Sequence, residues 1–227
     1  LRKKLAVGRL TTVQWLRIIR AAHALNIPTT STMMFGHLEH AEDQARHLLT
    51  LLQLQHETGG LTEFVPLAFV HQEAPLFAAS KGVRAGPSPQ ERRAVYAASR
   101  LLLGAAIKNI QVSWVKEGMA EASDLLRYGV NDLGGTLINE SISTSAGAPH
   151  GQRQSPKALA DLIVASGRRP QQRNTLYQPI DSRPTTNWDG DYGSWQELRQ
   201  DERFAYIPSG KPSRSAAVSM SQASPRR

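Results

Sequence analysis

Cysteine is absent from all 227 residues. Without a thiolate, the chain by itself can hold no disulfide framework, thiolate zinc site, cysteine nucleophile or iron–sulfur cluster. Long apolar runs are missing too. No stretch of about 18 uncharged apolar residues occurs, and Leu1-Arg2-Lys3-Lys4 lacks the apolar core of a secretory signal. A soluble chain with no membrane partner is expected. The first residue is Leu rather than Met, which predicts a processed product or a fragment. Aromatic residues are scarce at 6%, yet 40% hydrophobic residues suffice for a real core and exclude a disordered polymer.

The net charge of +8 is unevenly spread. Residues 1–150 carry 15 Lys/Arg against 12 Asp/Glu, and residues 151–227 carry 12 against 7. Much of the basicity therefore sits in residues 151–227, and residues 179–227 are expected to be a low-order Pro/Ser/Arg-rich basic tail whose composition cannot bury enough apolar surface to order itself. No aromatic-basic interleaving or known reader motif accompanies the charge, so no nucleic-acid partner is expected.

Capping chemistry and apolar spacing predict five helices. Thr11-Thr12-Val13-Gln14 has the form of a capping box and opens a helix running to about Leu25. Glu42 to Thr58 carries a leucine stripe and stops at Gly59-Gly60. Ser88-Pro89-Gln90-Glu91 opens a helix to about Ala106, a shorter one spans Gly118 to Tyr128, and Ser155-Pro156 starts one that ends near Gly167. Between them lie β-branched or apolar runs at residues 27–35, 63–70, 109–115 and 131–138. Strand and helix in alternation predict an α/β fold with a parallel sheet wrapped by helices. Four βα units make half of a closed eight-stranded barrel, and the competing doubly wound sheet lacks its glycine fingerprint here.

In such folds the loops after the strands collect ligand groups. Each predicted strand ends in polar residues: Gly36-His37-Leu38-Glu39-His40, His71-Gln72-Glu73, Gln111 with Ser113 and Trp114, and Asn131-Asp132-Leu133-Gly134-Gly135-Thr136 followed by Asn139-Glu140. Polar side chains in apolar strands are costly unless paired, and a lined cavity would supply the partner. Bland readings stand beside these. His37, Glu39 and His40 could be metal ligands or helix caps, Gly134-Gly135 could cradle phosphate or permit close packing, and Gln111 and Ser113 could bond to each other.

The segment Ile27-Pro28-Thr29-Thr30-Ser31-Thr32-Met33-Met34-Phe35-Gly36-His37-Leu38-Glu39 resembles the fifth-strand region of the radical S-adenosylmethionine (SAM) enzymes that build deazaflavin and menaquinone. Glu63-Phe64-Val65-Pro66-Leu67, Gln111-Val112-Ser113-Trp114-Val115-Lys116, Asn131-Asp132-Leu133-Gly134-Gly135-Thr136, Asn139-Glu140-Ser141-Ile142-Ser143 and Ala146-Gly147-Ala148-Pro149-His150-Gly151 agree with that branch. The last two favour its tyrosine-ligating FO synthase members. The likeness covers residues 10–178.

The resemblance implies that residues 1–178 are the C-terminal half, the last four βα units, of a radical SAM TIM-type (βα)8 barrel. It also implies an enzyme, a transferase of deazaflavin (coenzyme F420 precursor) biosynthesis. SAM bound to a [4Fe-4S] cluster is cleaved to a 5′-deoxyadenosyl radical, and the 4-hydroxybenzyl group of L-tyrosine passes to 5-amino-6-(D-ribitylamino)uracil. A second radical SAM module, fused or separate, then closes the deazaflavin ring. The family's Gly-x-Ile-x-Gly-x-x-Glu maps onto Thr32, Met34, Gly36 and Glu39, with Thr32 in place of the first glycine. SAM-proximal roles pass to Gly36, His37 and Glu39. Tyrosine and uracil contacts pass to His71, Gln111, Ser113, Trp114, Asn131, Asp132, Thr136, Asn139 and Glu140, with the Trp114 ring available for stacking. Phe35 stands where the family commonly has Tyr, which would remove a hydroxyl from the rim. The cluster motif Cys-x-x-x-Cys-x-x-Cys is missing, so the thiolates would belong to an N-terminal barrel half ahead of Leu1, and the fragment alone would be inactive. The alternatives are a menaquinone-pathway relative and a truncated, non-catalytic binding protein.

Overall fold

The computed structural model describes Leu1, Leu5 and residues 8–137 and 140–180. Residues 181–227, which hold nearly all of the expected basic tail, lie outside the described residues, as does Asn139. Three of the described helices begin where the caps at Thr11, Ser88 and Ser155 predict. Helix α1 (Thr12–Ala24) starts from a reciprocal box in which the Gln14 amide donates to Thr11 Oγ1 (3.2 Å) and the Thr11 amide donates to Gln14 Oε1 (2.9 Å). Helix α2 (Ala41–Thr58) ends at Gly59, whose φ of 67° is the left-handed stop. Helix α3 (Pro75–Ala79) is short and unforeseen. The Ser88 hydroxyl caps α4 (Pro89–Leu103), and the Ser155 hydroxyl caps the last described helix, Pro156–Ala165. No helix among the described residues is long and apolar enough to cross a membrane.

Strands β1 (Thr29–Phe35), β2 (Leu61–Ala68) and β3 (Asn109–Ile110) are parallel and lie in sequence order. A parallel bridge from Gln111 to Asp132 adds a fourth segment in the same direction. A doubly wound sheet reverses its strand order at a switch point. This order runs straight, as in part of a βα barrel. Burial alternates along β1: Ser31, Met33 and Phe35 are buried, while Thr30, Thr32 and Met34 are exposed. Met33, Phe35 and Phe64 join the helical core with Leu48, Leu51, Val95 and Tyr96. Burying each phenylalanine contributes roughly 1.5–3 kcal/mol. Among the described residues no helix covers the exposed side chains of the opposite face of β1.

Three expectations are corrected. The third strand is two residues long, because Trp114 opens a short helix, α5 (Trp114–Glu117), with its indole N–H donated to the Gly135 carbonyl at 2.9 Å. The fourth strand shrinks to its bridge, because the Asp132 carboxylate turns back to accept the Gly134 amide (2.6 Å) and draws the chain out of the ladder. Phe35 borders no rim. It is fully buried with its ring edge-on to Tyr96, centroids 6.4 Å apart. Helix α6 (Met119–Leu125), a 3-10 turn (Leu126–Tyr128), α7 (Ser141–Ser145) and α8 (Pro156–Ala165) complete the described residues.

Candidate functional site

The register stacks the helix-free face in rows. Thr32 stands opposite Val65, and Ile110 opposite Phe64, so Gln111 is level with Val65 and is itself bridged to Asp132. Thr32, Val65, Gln111 and Asp132 thus form one row across four parallel segments. Met34 and Leu67 continue it toward the strand C-termini. The Gln111 amide group lies over Gly134, where an added Cβ would stand 3.0 Å from the Gln111 amide nitrogen.

At the end of β1, Glu39 organises the turn. Its carboxylate accepts the Gly36 amide (2.5 Å), the His37 amide (2.9 Å), the Gln44 side chain (3.1 Å) and Arg84 Nη2 (3.0 Å). Burial pushes its pKa up, but the His37 side-chain bond and the backbone amides outweigh that and hold it at about 2. His37 is buried with Nδ1 2.8 Å from the Glu39 carboxylate and Nε2 3.1 Å from the Met34 carbonyl. Gly36 has φ +89°, and a Cβ there would lie 2.3 Å from Pro87 Cδ. Only glycine fits this turn.

Partly buried ion pairs tie the strand-end loops together. Arg84, in the loop after β2, bridges Glu39 to Glu91 on α4 (2.6 Å). Arg92 on α4 bonds the Pro87 carbonyl (2.8 Å) and Glu117 on α5 (2.6 Å), whose carboxyl pKa is raised chiefly by burial. The loops after β2 and the fourth segment meet where the Glu73 amide donates to the Ala146 carbonyl (3.0 Å), and Gly118 lies against the His150 ring. A cavity of about 560 Å³ lies beside Glu39 between α2 and α4, on the helical side of the sheet. A second, of about 790 Å³, is lined by Asn131, Asp132, Thr136, α8 and Arg173.

The same face of the sheet as the polar row holds a charged cluster around Asp132, whose Glu63, Arg173 and Tyr177 sequence reasoning missed. Glu63 on β2 is buried and hydrogen-bonded to Tyr177, while Arg173 bonds both oxygens of Asp132, stands 3.7 Å from Glu63 and stacks 4.2 Å from the Tyr177 ring. Burial first, then the neighbouring Asp132, raises the Glu63 pKa to about 7 against the opposing Tyr177 bond and Arg173 charge. A glutamate among apolar strand residues was the legible signal for this cluster; Arg173 and Tyr177, more than a hundred residues from it, carried no such mark.

The structure divides the residues singled out from sequence. Gly36, His37 and Glu39 share one turn, but that turn consumes its own amides. His71 is partly buried against Phe77, with centroids 4.9 Å apart. Gln111 and Asp132 share the row on the helix-free face, and Ser113 follows in the β3 loop. Trp114 is buried in the core with its N–H occupied. Asn131 sits at the start of its segment, where its carbonyl oxygen accepts Arg100 and the Ile110 amide, both at 2.8 Å. The Thr136 carbonyl accepts the Gln154 amide (2.8 Å), and Glu140 caps α7 through the Ser143 amide. No group of three His, Asp or Glu among the described residues is arranged to hold a metal.

Residues 58–186, more than half of the chain, match the family described as the CofH/MqnC C-terminal region. The chain belongs to this family. Among its relatives is the 5-amino-6-(D-ribitylamino)uracil--L-tyrosine 4-hydroxyphenyl transferase of Methanococcus aeolicus, 45% identical over 181 residues, covering 80% of this chain and 50% of the relative. The enzyme of the same name from Methanocaldococcus jannaschii matches equally, and that from Methanopyrus kandleri is 46% identical over 179 residues, 79% of this chain and 48% of the relative. The chain spans about half the length of the curated relatives it matches.

Proposed function

We propose that residues 1–178 form the C-terminal half of a radical SAM (βα)8 barrel. In the complete protein this half walls the chamber where the 4-hydroxybenzyl group of L-tyrosine is transferred to 5-amino-6-(D-ribitylamino)uracil. The observation that carries this reading is the 45% identity, over 181 residues, to relatives bearing that transferase name. The straight strand order and the polar row on the helix-free face support it, since a parallel sheet is ordinarily covered on both faces.

An iron–sulfur cluster does not fit this chain's own donors, because the sequence offers no thiolate. Its ligands would come from the other half. SAM would neighbour the β1 turn without bonding its amides, because Glu39 occupies those of Gly36 and His37 and Pro87 packs against Gly36. Bound there, SAM would supply the group that starts the chemistry. The chain's own residues would position substrates: Thr32 and Gln111 on the open face, with Ser113, His71 and Glu140 at the rim. Polar groups set in an apolar wall favour ligands carrying complementary donors and acceptors.

The test is the complete protein, with the sequence preceding Leu1 and its cluster reconstituted, incubated with SAM, L-tyrosine and the ribityl uracil. A tyrosine-derived adduct of the uracil is expected. Turnover of a menaquinone precursor without that adduct would replace the substrate assignment.

A further inference from the structure

The Gln111 side chain makes no hydrogen bond among the described residues, and its amide rests against Gly134. A Cβ added at Gly134 would stand 3.0 Å from the amide carbon, 3.0 Å from its nitrogen and 3.2 Å from its oxygen. Near-equal distances to all three atoms mean that the amide lies flat over the glycine, with its donor and acceptor left for a ligand. Gly134 sits at φ +77°, a left-handed conformation that something nearby must hold. Asp132 holds it, since its Oδ1 accepts the Gly134 amide at 2.6 Å. The same oxygen accepts Arg173 Nη2 at 3.0 Å, and the second oxygen accepts Arg173 Nε. A two-pronged guanidinium fixes the plane of the carboxylate it binds.

Arg173 is itself braced from behind. The hairpin that carries it is closed by the Asn174 amide on the Gln178 carbonyl (3.0 Å) and the Ile180 amide on the Gln172 carbonyl (2.9 Å), with Arg173 bridged antiparallel to Pro179. Arg173 Nη1 donates to the Asn174 carbonyl (3.2 Å), and the guanidinium stacks 4.2 Å from the Tyr177 ring. We infer that Arg173 is a positioning residue for the substrate wall: through the Asp132 carboxylate and the Gly134 turn it sets the orientation of the Gln111 side-chain amide. The inference rests on the transferase reading, in which Gln111 faces the ligands.

The test compares the complete reconstituted protein as wild type, Arg173→Met, Arg173→Lys and Gln111→Ala, with each Arg173 change also combined with Gln111→Ala. The side-chain amide resonances of Gln111, identified by their loss in Gln111→Ala, report its orientation without any turnover. They should move in Arg173→Met, while those of Gln44, bonded to Glu39 beside α2, stay in place. Adduct formation supplies the second measurement. Arg173→Met should lower kcat/KM by about tenfold or more when Gln111 is present and by less than about twofold in the Gln111→Ala background. Arg173→Lys keeps the charge but not the fork, so it should show the same pattern in a more stable protein, and it replaces Arg173→Met if that variant does not fold. Unmoved Gln111 resonances in a folded Arg173 variant, or equal losses with and without Gln111, would overturn the inference, because a merely structural role lowers both backgrounds alike. Moved resonances in a protein whose wild type forms no adduct would support the linkage and overturn the transferase reading.

Discussion

Arg173 and Asp132 are joined by a two-pronged ion pair that spans 41 positions of the sequence, with Arg173 Nη2 3.0 Å from Asp132 Oδ1 and Nε on the second oxygen. The pair pins residues 168–180 to the sheet. Removing the guanidinium leaves Asp132 and Glu63, both nearly buried, facing each other uncompensated. Arg173→Met should destabilise the protein by about 3 kcal/mol, the lower end of the range for breaking a buried pair, because Arg173 keeps some solvent contact. Urea unfolding checks this.

Glu63 and Glu39 should bend the pH-stability curve in opposite senses. Glu63 titrates at about 7 in the folded protein against 4.5 otherwise, so the native state holds the extra proton and stability falls as pH rises from about 4.5 to about 7. The effect is on the order of 3 kcal/mol, and Glu63→Gln should flatten that limb and stabilise the protein at pH 8. Glu39, at about 2, stabilises above 4.5 and loses that contribution as pH falls through 2. Glu39→Gln should remove the acid limb. Denaturant titrations from about pH 2 to 8 read both.

Gly36→Ala should cost about 1–3 kcal/mol, since it combines a positive φ with a collision against Pro87. Gly135→Ala meets nothing within 4 Å and has no left-handed φ, so it should move the thermal midpoint little.

Trp114→Phe separates packing from ligand contact. The ring volume stays largely filled while the bond to Gly135 is lost, so a destabilisation of about 1 kcal/mol is expected, with little change in tyrosine KM. A large KM change at intact stability would restore Trp114 as a stacking surface.

Helix starts were legible because each rests on a local hydroxyl or amide two or three residues from the amide it satisfies, as at Thr11, Ser88 and Ser155. The first two strands were legible as β-branched and apolar runs. The third and fourth were overextended because their ends depend on distant partners: Gly135 takes the Trp114 indole, and Arg173 takes Asp132. The same limit shaped the site. Glu39 was visible as a motif residue, but Arg84, which anchors it from 45 positions away, carried no local mark. Asn131 looked like a ligand group because its amide is polar at a strand, whereas its bonds to Arg100 and Ile110 make it a lock between neighbouring segments.

The central claim is that the helix-free face of this sheet is one wall of a substrate chamber. Its most direct measurement is adduct formation by the complete reconstituted protein, wild type against Gln111→Ala, with L-tyrosine and the ribityl uracil. The account predicts adduct from the wild type and a fall in kcat/KM of about a hundredfold in the folded variant. Equal rates in the two proteins, or no adduct from the wild type, would contradict it.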